Sequence, residues 1–289
     1  MKKLGLLFLA FVLMAAPAWA QQQYSFSTIN FPGASLTSVF GLNDHGQFVG
    51  IFRAPRAPHA IRFDGKSLGI IDPDGFLGQH RSFALATNNQ GDVVGAYFDA
   101  DGTSHGYVYS HGVVTPMDFP GATLTQTFGI NDHGVIIGIY EIGSGPLHGF
   151  TFRDGVYNQL DFPGAVDTFP LSINNQETIV GSWDSGADPL GHGFVHSAAG
   201  EFTSVDVPGA APASSEFISI NDDGQILGSY FDVAGKFNNF VLTDGVYQPV
   251  LVPNATFASV QTLNNRGQIV GYFDDTQGRH GFLATPVAQ

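Results

Sequence analysis

The sequence predicts an all-β chain: a six-bladed β-propeller of four-stranded antiparallel blades, closed by an N-terminal strand that completes the last blade. Three observations carry that expectation. The chain repeats itself six times, two-residue hairpin turns recur inside the repeat, and the two chain ends complement one another.

The repeat is clearest in one segment. GLNDHGQFVGIF (41–52) returns as ATNNQGDVVGAY (86–97), GINDHGVIIGIY (129–140), SINNQETIVGSW (172–183), SINDDGQILGSY (219–230) and TLNNRGQIVGYF (262–273). The leading asparagines, Asn43, Asn88, Asn131, Asn174, Asn221 and Asn264, stand 43 to 47 residues apart.

Each unit reads as four short strands. In the third unit TQTFGI (125–130) leads into an Asn-Asp-x-Gly turn, whose residues suit positive φ, and then into VIIGIY (135–140). A longer polar loop reaches HGFTFR (148–153). Asp154-Gly155 then closes a tight hairpin onto VYNQLDF (156–162), and Pro-Gly-Ala crosses to the next unit. Asp64-Gly65, Asp244-Gly245 and His111-Gly112 occupy the same hairpin position. The C-terminus stops after a third strand, HGFLATPV (280–287), while YSFSTINFPGA (24–34) matches the fourth-strand pattern. Joining the two leaves no open sheet at the ends of the chain.

Single positions fit the same architecture. The second strand carries Gly50, Gly95, Gly138, Gly181, Gly228 and Gly271, and a glycine inside a strand marks close approach of another backbone. Two residues on stand Phe52, Tyr97, Tyr140, Trp183, Tyr230 and Phe273, expected as packing between units. Two residues before the asparagine the side chains are small, as crowding around an axis requires.

The first residues bound the compartment. Lys2-Lys3, an apolar run from Leu4 to about Ala16, and Ala18-Trp19-Ala20 form a secretory signal peptide over 1–20, leaving 21–289 as one propeller domain. The run is too short for a membrane span of about 20 residues. Location is therefore expected to be the periplasm or the medium, without membrane insertion after signal removal. No cysteine is present, so stability must come from a packed core. Losing Lys2 and Lys3 leaves 9 basic against 25 acidic residues, a net charge of −16. Nucleic acid is thereby excluded as a partner, since binding it rests on neutralising phosphates.

Gly-Ile-Asn-x-x-Gly-x-x-x-Gly, followed by His-Gly-Phe or His-Ala-Phe and then x-Asp-x-Pro-Gly-Ala, resembles the HAF-type probable extracellular repeat family of bacteria. His59-Ala60-Ile61, His105-Gly106-Tyr107, His148-Gly149-Phe150, His192-Gly193-Phe194 and His280-Gly281-Phe282 carry the resemblance over nearly all of 21–289. The fifth unit departs, with Asn238-Asn239-Phe240. The resemblance implies export and a repeat fold, and no catalytic residue.

Turn lengths separate two faces. The Asn-Asp-x-Gly and hairpin turns share one end of the ring, and the longer loops and Pro-Gly-Ala crossings share the other. Binding residues favour longer loops on a rigid scaffold, so the looped face around the channel mouth is the expected site. The repeated histidines, His59, His105, His148, His192 and His280, follow acidic loops, a pattern open to acid–base work or metal ligation. Their repetition favours a structural bond that every blade needs. Asn30, Asp72, Asp118, Asp161 and Asp206 repeat before the crossing and are read as turn caps, with Leu251 breaking the series. Residues that do not repeat are the expected ligand contacts: His80, Arg81, Gln126, Asp167 and Glu216.

No metal or other cofactor is expected. Asp99-Ala100-Asp101-Gly102 is a fragment of a calcium loop without the later ligands, so Ca2+ stays open only there. The expected function is an exported binding or interaction module, monomeric, for a polar small molecule, a glycan or an envelope protein. A hydrolase or lyase using His80, Asp167 or Glu216 at the channel mouth is the alternative, and a passive structural component the third.

Overall fold

The structure is a computed structural model that describes residues 22–53, 58–71, 81–186 and 191–287. The signal segment 1–20, Asp72 and His80 lie outside the described residues.

Among the described residues all regular structure is β, in 24 strands. The first unit holds β2 (Leu36–Leu42), β3 (Phe48–Arg53), β4 (Pro58–Phe63) and β5 (Leu68–Ile70). The second holds β6 (Ser82–Thr87), β7 (Val93–Phe98), β8 (Ser104–Ser110) and β9 (Val113–Met117). The third runs β10 (Leu124–Ile130), β11 (Ile136–Glu141), β12 (Leu147–Arg153) and β13 (Val156–Gln159). The fourth runs β14 (Asp167–Ile173), β15 (Ile179–Asp184), β16 (His192–His196) and β17 (Phe202–Val205). The fifth has β18 (Ala210–Ile220), β19 (Ile226–Asp232), β20 (Phe237–Thr243) and β21 (Val246–Pro249). The last has β22 (Phe257–Leu263), β23 (Ile269–Asp275) and β24 (Gly278–Pro286), and β1 (Tyr24–Ile29) pairs antiparallel with β24 from Tyr24↔Pro286 to Ile29↔Gly281.

The middle four units are separate four-stranded sheets in chain order. The first and last units share one sheet through a single parallel bridge, Leu36↔Arg279. The first strands of successive units pack on one another, β2 on β6, β10, β14, β18 and β22 in turn, and β22 packs back on β2. The six units therefore form a ring with these strands innermost.

One cross-strand pair explains the repeated glycine. In every unit it stands opposite a large third-strand residue: Gly50↔Ile61, Gly95↔Tyr107, Gly138↔Phe150, Gly181↔Phe194, Gly228↔Phe240 and Gly271↔Phe282. Those partners are at most 2% exposed. A Cβ on these glycines would lie 1.9–2.5 Å from a first-strand carbonyl oxygen. No side chain fits there, so the absent side chain lets a full ring occupy the core between units.

Each innermost strand also carries a β-bulge at the same place. The register slips past Phe40, Leu85, Phe128, Leu171, Ile218 and Gln261. A bulge re-aims its side chain, and here all six line the central cavity.

The turn after each innermost strand is organised by its leading asparagine, which is only 3–6% exposed. In the first unit Asn43 Oδ1 accepts from the backbone N–H groups of His45 and Gln47. The asparagine Nδ2 then donates to the carbonyl of the next asparagine: Asn43 to Asn88, Asn88 to Asn131, Asn131 to Asn174, Asn174 to Asn221, Asn221 to Asn264 and Asn264 to Asn43, at 2.9–3.3 Å. The circuit is closed.

The fourth unit has Glu177 where the other turns have glycine, with φ at 62°. A left-handed residue with a Cβ costs about 1 kcal/mol, and its exposed ion pair with Arg153 returns less than that. Glu177→Gly should stabilise the protein by about 0.5 kcal/mol, raising the midpoint of chemical unfolding at an unchanged m-value.

Candidate functional site

The two ends of the central cavity differ in kind. At the turned end the residue after each asparagine alternates: Asp44, Asn89, Asp132, Asn175, Asp222, Asn265. Each of the three amide nitrogens donates to both flanking carboxylates, Oδ2, at 2.8–2.9 Å. Three nitrogens and three oxygens thus alternate around a closed hexagon. A regular hexagon's radius equals its edge, so every atom of the ring stands about one hydrogen-bond length from the axis. No organic ligand passes an opening of that size. Every Oδ1 accepts the backbone N–H of the corresponding residue in the preceding unit, at 2.7–2.9 Å.

Below that seal lies a cavity of about 310 Å³. The bulged side chains wall it, and Glu216, Ser229, Phe237 and Ser259 line it toward the looped end. The Glu216 carboxyl makes no hydrogen bond or ion pair among the described residues. Burial pushes its pKa above the usual carboxylate range, although part of the residue stays accessible from the cavity.

The other residues expected as ligand contacts do not converge with Glu216. Arg81 lies over the Phe98 ring at 4.5 Å. Gln126 Nε2 donates to Ser104 Oγ at 2.9 Å. Asp167 Oδ1 accepts from the Leu147 backbone N–H at 2.7 Å, tying a third-unit loop to the fourth unit. His80 is outside the described residues.

The repeated histidines pair chiefly with the crossing of their own unit. His148 Nδ1 meets Asp161 at 2.8 Å, His192 Nδ1 meets Asp206 at 2.8 Å, and His105 Nδ1 meets Asp118 at 3.1 Å. His280 bonds Asn30, which β1 brings to the same place, at 2.8 Å. Among the described residues loop acids add a second contact from Asp99 to His105 and from Asp275 to His280. Each ring also lies beside the second-strand aromatic, as Trp183–His192 at 4.7 Å, Tyr140–His148 at 5.2 Å and Phe52–His59 at 5.5 Å. The crossing phenylalanine closes the stack from the other side: Phe31 on Phe52, Phe119 on Tyr140, Phe162 on Trp183. Sequence reasoning had placed these residue types separately. Register across the hairpin joins histidine, aspartate and second-strand aromatic within one unit, and the crossing from the preceding unit adds the phenylalanine.

In the acidic loop of the second unit, Asp99 Oδ1 accepts from the backbone N–H groups of Asp101 and Thr103. Among the described residues no group of three or more His, Asp or Glu is arranged to hold a metal ion.

The fifth unit breaks the column. Asn238 replaces the histidine, Asn239 the following glycine and Leu251 the aspartate, and valine takes the place of the phenylalanine at the crossings before and after the unit, Val207 and Val252. In the third unit a Cβ on that glycine would stand 2.3 Å from the Leu160 carbonyl oxygen and 3.0 Å from Pro170 of the next unit. Asn239 instead inserts a full side chain, donating to the Ala258 carbonyl at 2.9 Å and accepting from the Val260 N–H at 3.3 Å. It wedges the fifth unit from the sixth. The smaller Val252, with Val207 at the crossing before, leaves volume unfilled. The result is a pocket of about 540 Å³ on the looped end, with Tyr230, Lys236, Phe237, Asn238, Tyr247 and Phe257 among its walls. Leu251 at its edge is 69% exposed. Neither the Tyr230 nor the Tyr247 hydroxyl makes a hydrogen bond among the described residues. The departures at Asn238 and Leu251 were visible in the sequence; that they share one wall was not.

Neither a protein-family model nor a curated protein matches the chain. Solved structures do. AofleA from Arthrobotrys oligospora superposes with a TM-score of 0.56 at 14% identity, over 92% of this chain and 91% of that one. The Aleuria aurantia lectin, described as a six-bladed β-propeller with a novel fucose recognition mode, gives 0.52 at 11%, over 91% and 99%. TolB from Acinetobacter baumannii gives 0.58 at 11%, over 83% of this chain and 64% of TolB. The fold is a β-propeller. At such identities the likeness extends to the fold alone.

Two outcomes test the propeller's channel. Asn175→Asp would set three carboxylates side by side and remove two donated hydrogen bonds to charged acceptors, each worth about 1.5–3 kcal/mol. It should lower Tm by several degrees, read by calorimetry. For Glu216 the folded state keeps a proton that the unfolded chain has already lost. Stability is therefore complete below the unfolded value and falls as pH rises through the higher folded value. Glu216→Gln should gain on the parent protein in Tm from acidic to neutral pH.

Proposed function

We propose that this chain is an exported six-bladed propeller, its last blade completed by β1, that works as a binding module for a glycan at its looped end. The observation that carries the reading is the pocket of the fifth unit. In four other units a histidine pairs with the polar residue of the crossing. One unit replaces four positions together, and the replacements open a pocket rather than repack it.

The chemistry of that pocket suits a sugar. Tyr230, Phe237, Tyr247 and Phe257 offer apolar ring surface, while the two tyrosine hydroxyls, the Asn238 amide and Lys236 offer polar contacts. Aromatic walls with a few placed polar groups describe a typical small-ligand site, and a saccharide ring presents one apolar face edged by hydroxyls. The likeness to fungal lectins is in keeping with this reading. Export rests on Lys2-Lys3, the apolar run and Ala18-Trp19-Ala20.

The test is to restore the repeat. The fourfold variant Asn238→His, Asn239→Gly, Leu251→Asp, Val252→Phe should keep the parent's β circular dichroism and lose binding to whatever saccharide the parent retains on a glycan array. A parent protein that retains none, or a restored variant that binds equally well, would remove the pocket from function.

A further inference from the structure

We propose that the central cavity is a second site, which takes a small organic cation of the alkylammonium class with Glu216 as its counter-ion. It is separate from the glycan reading and does not depend on it.

Charge is the first argument. The cavity's lining includes four carboxyl groups, Asp44, Asp132, Asp222 and Glu216, and no lysine, arginine or histidine. A concave site lined by one sign of charge, with low-dielectric walls, focuses potential on its interior. Three of those carboxyls are engaged, each accepting two amide N–H groups on one oxygen and a backbone N–H on the other. Glu216 is not. It is screened from bulk water on nearly every side and has no partner among the described residues. A buried acid without a partner is unfavourable when ionised, and a cation beside it removes the penalty.

The walls decide what kind of cation. Phe40, Phe128 and Phe237 line the cavity, with Leu85, Leu171 and Ile218 between them. A calcium ion takes six to eight oxygen ligands and prefers carboxylates and carbonyls among them. Near Glu216 the lining side chains offer few neutral oxygens, the hydroxyls of Ser229 and Ser259 and the amide of Gln261, whose Nε2 donates to Ser259 Oγ at 2.9 Å. An alkylated ammonium needs no such shell. Its methyl groups suit the apolar ring, its charge suits aromatic faces and a carboxylate, and about 310 Å³ holds it. Because the amide–carboxylate hexagon closes the turned end, it would enter from the looped end past Phe237.

The experiment is isothermal titration calorimetry of the mature protein with choline and tetramethylammonium, beside dimethylbutanol, the neutral isostere of choline, and calcium chloride. Choline and tetramethylammonium should give saturable one-to-one binding, and dimethylbutanol should bind at least about tenfold more weakly, a difference of about 1.4 kcal/mol. Glu216→Gln, nearly isosteric and checked for an unreduced Tm, should lose about the same factor for the cations and nothing for the alcohol. The fourfold variant of the side pocket should bind choline as the parent does. Absence of saturable binding by either cation, equal binding of the neutral isostere, unchanged affinity in Glu216→Gln, or tighter binding of calcium than of choline would each overturn the proposal.

Discussion

The ring depends on a bond that only a carboxamide can make in this setting. Each leading asparagine must accept from its own turn and donate to the next unit, as Asn43 does through Oδ1 to His45 and Gln47 and through Nδ2 to Asn88. Aspartate has the acceptors but not the donor, and serine is too short to do both. Each net buried bond contributes about 1 kcal/mol, and six in a closed circuit fix the angle between every pair of units. That matters because no main-chain ladder joins neighbouring sheets among the described residues except at Leu36↔Arg279. Side-chain packing and this circuit carry the load that hydrogen-bonded edges carry in a closed barrel.

Once the axis is fixed, the rest of each unit follows from a choice of small against large. Gly138 opposite Phe150 is one instance. The first-strand carbonyl comes so close that no Cβ fits, and the space on the far side goes to an aromatic ring. The same logic makes the fifth unit an exception. Asn239 occupies a place where Gly149 lies against Leu160 and Pro170, so the neighbouring unit has to stand off. One substitution therefore reaches across an interface, and the vacant volume appears between units rather than inside one.

Much of this was legible in the sequence because a repeat is its own alignment. Strand order, hairpin turns, the second-strand glycine and the β1–β24 pairing could all be read from spacing. The histidine column was legible only as parts. His148 and Asp161 are thirteen positions apart, and they meet because the hairpin folds them back with Phe150 opposite Gln159. The alternation of Asp44, Asn89, Asp132, Asn175, Asp222 and Asn265 stood in plain sight inside the repeat. It carries meaning only when the six turns converge on one axis, since a hexagon of donors and acceptors does not exist along a line. The bulges were hidden for another reason. Phe40 and Gln261 look like ordinary strand residues until register shows that nothing opposes them.

The two ends of the propeller thus have opposite characters, and chemistry dictates which can bind. At the turned end every donor finds an acceptor: six backbone N–H groups, three amides and three carboxylates are consumed in one ring. A ligand there would have to break bonds already made between charged and neutral partners, with no apolar area to gain. At the looped end the repeat's own devices lapse in one place. The column that joins strand and crossing is missing, two tyrosine hydroxyls go without a hydrogen bond among the described residues, and apolar side chains face solvent at Leu251 and Phe257. Unused polar groups beside exposed apolar surface favour association, because a ligand satisfies the first while covering the second. Phe237 lines both this pocket and the central cavity, so the fifth unit joins the two spaces.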